Sequence, residues 1–290
     1  MYKHVPVLLE EVLLMLSPKE KCIYLDGTFG GGGYTKSILD VVDCKVIACD
    51  RDSSVRDIAC EFKSIYQERF DFLHAKFSDI RSVISSFGVK KLDGIILDLG
   101  VSNFQLSDPG RGFSFRLNGP LNMGMGLCEE TALDVIRKYS ERELADIIYE
   151  FGEERFSRRI AKNIKMNLSK ISTTEDLANI IRLCVKKTSK INVATKTFQA
   201  LRIFVNDELD ELQQVLSESI ELLNRGGKII VVTFHSLEDR IVKRFFKSLI
   251  VKENPIKFKL LNKKPIVPSK NEILLNSKAR SAKLRGISML

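Results

Sequence analysis

The sequence predicts a doubly wound α/β fold: a mostly parallel sheet interrupted by an inserted all-helical domain. Two observations carry this. Five short apolar runs each lead into a polar or helical stretch, the pattern of a parallel sheet covered on both faces. The interval between the fourth and fifth runs is too long for one crossover helix, and it carries helix signals without strand signals.

The runs are Cys22–Asp26, Lys45–Asp50, Phe70–His74, Leu92–Asp98 and Lys228–Phe234. Each is short, rich in aliphatic or aromatic residues and flanked by polar segments, as buried strands are. The helical interval extends from about Cys128 to Lys190. Within it, Ser140-Glu141-Arg142-Glu143 is a capping-box pattern that opens an amphipathic helix through Phe151. Thr173-Thr174-Glu175-Asp176 caps another helix, running to about Lys187. Thr195–Asn224 is helical too, broken near Asn206 and stopped by Gly226-Gly227. It leads directly into the fifth strand, which places it with the sheet. The predicted domains are therefore residues 1–115, the first part of the sheet domain; 116–194, the helical insertion; and 195–290, the second part.

Composition narrows the class. The 290 residues are 44% hydrophobic and 29% charged, ordinary for a globular chain of one large or two modest domains. No run of about 18 apolar residues exists, so no membrane span is expected. The start, Met1-Tyr2-Lys3-His4-Val5-Pro6, lacks the form of a secretion signal, and a cytoplasmic location is expected. Cys22, Cys44, Cys49, Cys60, Cys128 and Cys184 form no C-x-x-C pair and read as free thiols in a reducing compartment. Three histidines far apart in sequence argue against a metal site. The net charge of +9 is uneven: Ile241–Leu290 holds 13 Lys and Arg against Glu253 and Glu272, a net +11. Such a segment suits either a polyanion binder or a solubilising surface.

Ligands of open α/β sheets bind outside the carboxyl ends of the strands. The first strand ends in Asp26-Gly27-Thr28-Phe29-Gly30-Gly31-Gly32-Gly33-Tyr34, with five glycines in seven residues. Such a loop turns sharply and lies close to a ligand. Asp50 ends the second strand 24 residues after Asp26, where an acid accepts both ribose hydroxyls of an adenosine ligand. Asp26 beside the loop would repel a pyrophosphate, but it suits the ammonium and sulfonium of S-adenosylmethionine. The loop also lacks a clean G-x-G-x-x-G spacing. A methyl donor is therefore favoured over NAD or ATP.

The fourth strand runs into Asp98-Leu99-Gly100-Val101-Ser102-Asn103-Phe104-Gln105, followed by Arg111-Gly112-Phe113-Ser114-Phe115. A carboxylate and an amide there could hold the exocyclic amine of a base. The two phenylalanines and Arg111 could stack on an extruded nucleotide or touch its phosphate; alternatively the phenylalanines are core and Asp98 caps a turn. His235, after the fifth strand, is a second proton-acceptor candidate or a turn cap.

These blocks resemble the bacterial ribosomal RNA small subunit methyltransferase H family, the cytidine-N4 methyltransferases of small-subunit rRNA. The likeness runs from His4–Leu9 through Asp26–Gly33, Asp50-Arg51-Asp52, Asp98–Gln105 and Arg111–Phe115. It continues through Gly152-Glu153-Glu154, Arg158–Ala161, Ala194–Leu209, Phe234–Arg240 and Ala279–Arg285. The resemblance implies a Rossmann-like class I methyltransferase with a helical substrate-recognition insertion. It implies S-adenosylmethionine held by Gly32, Gly33, Tyr34, Asp50, Phe77, Asp98 and Gln105, with 16S rRNA as partner and neither metal nor membrane. Asp98 and His235 are the catalytic candidates. The chain departs from the family pattern at Tyr34, where His is usual, and at Asn122 and Gly124, where Asp and Arg are usual. The rival readings are an NAD-dependent oxidoreductase and a non-catalytic RNA-binding protein on the same fold.

Overall fold

The computed structural model describes residues 6–184, 192–251 and 255–290. His4, Val5, Lys187, Lys190, Lys252 and Glu253, which enter the expectations above, lie outside the described residues.

The chain opens with α1 (Leu9–Leu16) and continues as β1 (Ile23–Asp26), α2 (Gly33–Val41), β2 (Lys45–Asp50) and α3 (Arg56–Tyr66). Then come β3 (Phe70–His74), α4 (Ile80–Ser85) and β4 (Leu92–Asp98). A helical stretch follows: α5 (Asn103–Ser107), α6 (Ala132–Lys138), α7 (Glu141–Gly152), α8 (Ser157–Met166), α9 (Thr174–Cys184) and α10 (Thr195–Val205). The chain closes with α11 (Glu208–Leu222), β5 (Leu223–Thr233), α12 (Ser236–Leu249), β6 (Phe258–Leu260), α13 (Lys270–Leu275) and β7 (Lys283–Met289). The sheet order is β3-β2-β1-β4-β5-β7-β6. β1 to β5 are parallel, and β7 runs antiparallel to both β5 and β6.

The parallel strands read as continuous apolar runs because both faces are covered. Leu25, Ile47, Cys49, Ile95, Leu97, Ile229 and Val231 pack on one face. Their neighbours Tyr24, Val46, Ala48, Ile96, Ile230 and Val232 pack on the other. Burying each large aliphatic side chain contributes about 1.5–3 kcal/mol, so a one-residue slip in register would lose little hydrophobicity but would misplace the strand ends. Those ends matter. Strand order reverses between β1 and β4, which opens a crevice beyond their carboxyl ends.

The chain divides into two compact units, Met1–Gly100 with Leu209–Leu290, and Val101–Glu208. The helical unit is wider on both sides than the expected 116–194. Its core explains why: Phe113, Leu121, Ala194, Phe198, Leu201 and Val205 pack with the faces of α6 to α9. α10 therefore belongs with the helices, not with the sheet as its place in the chain suggested. The break expected near Asn206 is real. The buried Asn206 accepts from Met125 N at 2.7 Å and donates to Met123 O at 2.8 Å, which ties α10 to the 120–126 loop. Ser140 caps α7 with Glu143 in a reciprocal box, and Asp176 N donates to Thr173 Oγ1 at 3.2 Å at the start of α9.

The C-terminal region differs most from its expectation. Strands β6 and β7 arise from the basic segment, and β7 pairs along β5 from Lys228↔Ser288 to Thr233↔Lys283. β5 itself starts at Leu223, so Gly226-Gly227 lie within it, near a register shift against β4, rather than stopping a helix. No described helix is long and apolar enough to cross a membrane.

Candidate active site

The glycine loop leaves β1 at Asp26, and its conformation is set by protein contacts. Gly32 is left-handed at φ 73°, and a Cβ there would stand 2.4 Å from the Phe62 ring. At Gly33 a Cβ would stand 2.3 Å from Pro6. Both positions exclude a side chain because Phe62 and Pro6 already occupy that space. Tyr34 is buried, and its hydroxyl donates to Val7 O. The tyrosine that departs from the family pattern therefore packs in the core beside the loop. Burial, with Asp98 and Asp26 nearby, holds its pKa well above the usual value.

Three carboxylates surround the crevice. Asp26 is buried; it accepts from Thr28 N at 3.1 Å and from Thr35 Oγ1 at 2.7 Å, fastening the loop to α2. Burial pushes its carboxyl up to about 6 against these two hydrogen bonds. Asp50 Oδ2 accepts from Gly30 N at 2.8 Å, and Oδ1 accepts from Asp52 N at 2.9 Å. Burial also raises Asp50. A carboxylate offers about four lone-pair sites, so these two bonds leave acceptor capacity for ribose hydroxyls. Asp98 N donates to Thr28 Oγ1 at 2.7 Å, which locks the end of β4 onto the glycine loop. Its Oδ1 is buried without a hydrogen-bond partner among the described residues. Burial, then Asp26, then Glu238 push this carboxyl well above the usual range.

The remaining expected residues fall in different settings. Phe77 begins the turn after β3, with its Cβ 3.3 Å from where a Gly27 Cβ would stand, so it packs against the first glycine of the loop. Gln105 lies in the helical unit and is buried; its Oε1 accepts from Ser102 N at 2.9 Å in the capping box of α5. His235 is the N-cap of α12. Its Nδ1 accepts from Glu238 N at 3.4 Å, and Nε2 stands 3.1 Å from Glu238 Oε1. Nδ1 thus serves the helix cap, while Nε2 is buried and makes no hydrogen bond among the described residues. Glu238 in turn accepts from Phe234 N at 2.7 Å and His235 N at 3.1 Å. Phe113 is core, and Phe115 stacks edge-on against Phe198 at 5.2 Å. Arg111 donates to Gly124 O at 2.9 Å, so it braces its own loop. Thr28, Thr35 and Glu238 were missed in the sequence. Thr28 stands inside the glycine loop and Glu238 at capping-box spacing from His235, which are the signals that mark them.

The largest charges acting on Asp98 are both negative. A buried acid with an open oxygen beside two other acids fits a cationic ligand and disfavours a phosphate. A family profile described as the MraW methylase family matches residues 1–290. The chain belongs to the MraW methylase family. Among curated relatives, "Ribosomal RNA small subunit methyltransferase H" of Ehrlichia canis (strain Jake) is 49% identical over 98% of this chain and 99% of the relative. The protein of the same name from Wolbachia pipientis subsp. Culex pipiens (strain wPip) is 49% identical over 99% of each chain. That from Rickettsia bellii (strain RML369-C) is 48% identical over 97% of each. Membership in this family makes the chain a methylase and excludes the oxidoreductase reading.

Proposed function

We propose that the chain transfers a methyl group from S-adenosylmethionine to the exocyclic N4 of a cytidine in 16S rRNA, in the cytoplasm. The observation that carries the donor is the acid cluster of Asp26, Asp98 and Glu238 around an open Asp98 oxygen. The names of the full-length relatives carry the acceptor class.

The residues fit this donor. Asp50 would hold its ribose, Phe77 would pack against its adenine, and Asp26 would face its cationic end. When bound, S-adenosylmethionine supplies an electrophilic methyl on a sulfonium. The N4 amine of cytosine is a poor nucleophile because its lone pair is delocalised, so alignment and proton removal must assist it. Asp98 accepts the hydrogen bond from that amine and takes its proton. A cation beside Asp98 offsets the repulsion from Asp26 and Glu238, which restores the carboxylate form needed for that step. No cysteine is required, because an exocyclic nitrogen attacks directly. The thiol of Cys49, beside the glycine loop, is held protonated by burial and donates to Gly27 O at 3.7 Å. His235 secures the β5 end through Nδ1, which leaves its buried Nε2 as a second proton acceptor beside Asp98 in this reading.

RNA contact is supported by clusters of exposed cations. In α8 and just before it, Arg155 and Arg159 stack on the Phe156 ring at 4.6 and 5.0 Å, and Arg158 and Lys162 are exposed. Glu154 is spent on Phe156 N, at 2.9 Å. In the C-terminal region Lys283 and Arg285 pair with Asp239 at 3.1 and 2.6 Å, so they are not available to phosphate. Lys243, Arg244 and Lys247 of α12 are exposed together on one helix. These clusters suit a phosphate backbone.

The acceptor is tested by nucleoside mass spectrometry of rRNA from cells with and without the protein. Loss of N4-methylated cytidine is expected. Unchanged N4-methylcytidine with loss of another modified nucleoside would refute the acceptor and leave the donor standing.

The donor site should also titrate. With a pKa of about 6, Asp26 is mostly neutral at pH 5 and ionised at pH 7.5. Affinity for S-adenosylmethionine is therefore expected to be about tenfold weaker at pH 5. Asp26→Asn keeps an acceptor for Thr28 N and a partner for Thr35, and its profile should be shallower. Calorimetry showing the same pH dependence in both proteins would remove Asp26 from the site.

A further inference from the structure

Glu211, in the first turn of α11, joins two strand-end loops. Arg51 Nη1 stands 3.0 Å from Glu211 Oε1, and Lys76 Nζ stands 3.0 Å from the same oxygen. Arg51 directly follows Asp50, and Lys76 directly precedes Phe77. One turn further along α11, Gln214 Nε2 donates to Ser78 O at 3.3 Å, on the same turn as Phe77. Arg51 and Glu211 are buried, whereas the Lys76 side chain is 27% exposed. A buried carboxylate shared by two cations has a defined geometry, because both must approach the same oxygen and removal of the carboxylate would leave the buried Arg51 charge without this partner. The β2 and β3 ends are further tied where His74 Nε2 lies 3.0 Å from Arg51 O.

A plainer account exists. An acid in the first turn of a helix is favoured by the helix dipole alone. That account requires neither Arg51 nor Lys76 and predicts an effect on stability only. The shared oxygen and the adjoining Gln214 contact instead fix the loops that carry Asp50 and Phe77 at one spacing.

We propose that Glu211 is a positioning residue for the methyl-donor site: its carboxylate holds Arg51 and Lys76 together and so sets the distance between the Asp50 and Phe77 loops. The proposal rests on reading those loops as the adenosine-binding part of the site. Glu211 touches neither donor nor acceptor; it acts through the backbone next to the residues that do.

The test compares wild type, Glu211→Gln, Lys76→Met and the double variant. Calorimetry with S-adenosylmethionine is paired with steady-state methylation of small subunits. Glu211→Gln is expected to weaken donor affinity about tenfold and raise the donor KM by the same factor, with kcat at saturating donor within about twofold of wild type. Lys76→Met cuts one tie at a partly exposed site, so it should fold and weaken affinity about threefold. In the double variant the Lys76 effect should vanish, since both act through one carboxylate. Unchanged donor affinity in folded Glu211→Gln and Lys76→Met would overturn the proposal, as would a lowered melting temperature with no change in KM. Failure of the wild type itself to bind S-adenosylmethionine would overturn the reading of the site on which the proposal rests.

Discussion

Asp98→Asn is expected to slow single-turnover methyl transfer by about 10²- to 10⁴-fold, the range for loss of a positioned proton acceptor. The substitution keeps the shape of the side chain and the Asp98 N to Thr28 Oγ1 bond at 2.7 Å, so the glycine loop stays in place. What it removes is the carboxylate whose buried Oδ1 is open toward a ligand. Stability should hold or rise, because the amide no longer faces Asp26 and Glu238. The sign follows from the raised carboxyl pKa. The folded state takes up a proton more readily than the unfolded chain, so this group favours the fold at low pH and opposes it as pH rises toward the folded value. Asp98→Asn should therefore show a flatter dependence of melting temperature on pH. A folded variant that methylates at the wild-type rate would exclude Asp98 as proton acceptor.

The second large effect is expected at Asp50. Asp50→Ala should weaken S-adenosylmethionine binding by roughly one to two orders of magnitude, since a charge-assisted hydrogen bond is worth about 1.5–3 kcal/mol. Two contributions add. The ribose loses its acceptor, and Gly30 N and Asp52 N lose theirs, at 2.8 and 2.9 Å. Asp50→Asn separates them, because it retains one acceptor oxygen for the loop but no charge. Its affinity should lie between wild type and Asp50→Ala. Calorimetry that finds wild-type affinity in a folded Asp50→Ala protein would dismiss the ribose contact.

Much of the sheet and its crevice was legible before any coordinates. Strands β2, β3 and β4 coincide with their predicted spans because each is an apolar run closed by polar segments, in which hydrophobicity itself marks the boundaries. Asp26, Asp50 and Asp98 were legible for the converse reason: a charged residue closing an apolar strand is costly unless it serves a ligand or a loop. β6 and β7 were not legible. Their apolar residues are few and interleaved with Lys and Arg, and their pairing with β5 depends on partners distant in the chain.

What the sequence by itself determined was the α/β class, the carboxylates at the strand ends and the family, because burial pattern and motif spacing are local properties of the chain. Tertiary structure alone decided three things. It assigned α10 to the helical unit through the shared core of Phe198, Leu201 and Val205. It turned part of the basic tail into sheet and neutralised Lys283 and Arg285 on Asp239. And it brought Arg51, Lys76 and Glu211 onto one carboxylate oxygen. All three depend on contacts between residues far apart in sequence, and no local pattern encodes which distant partner a side chain will meet.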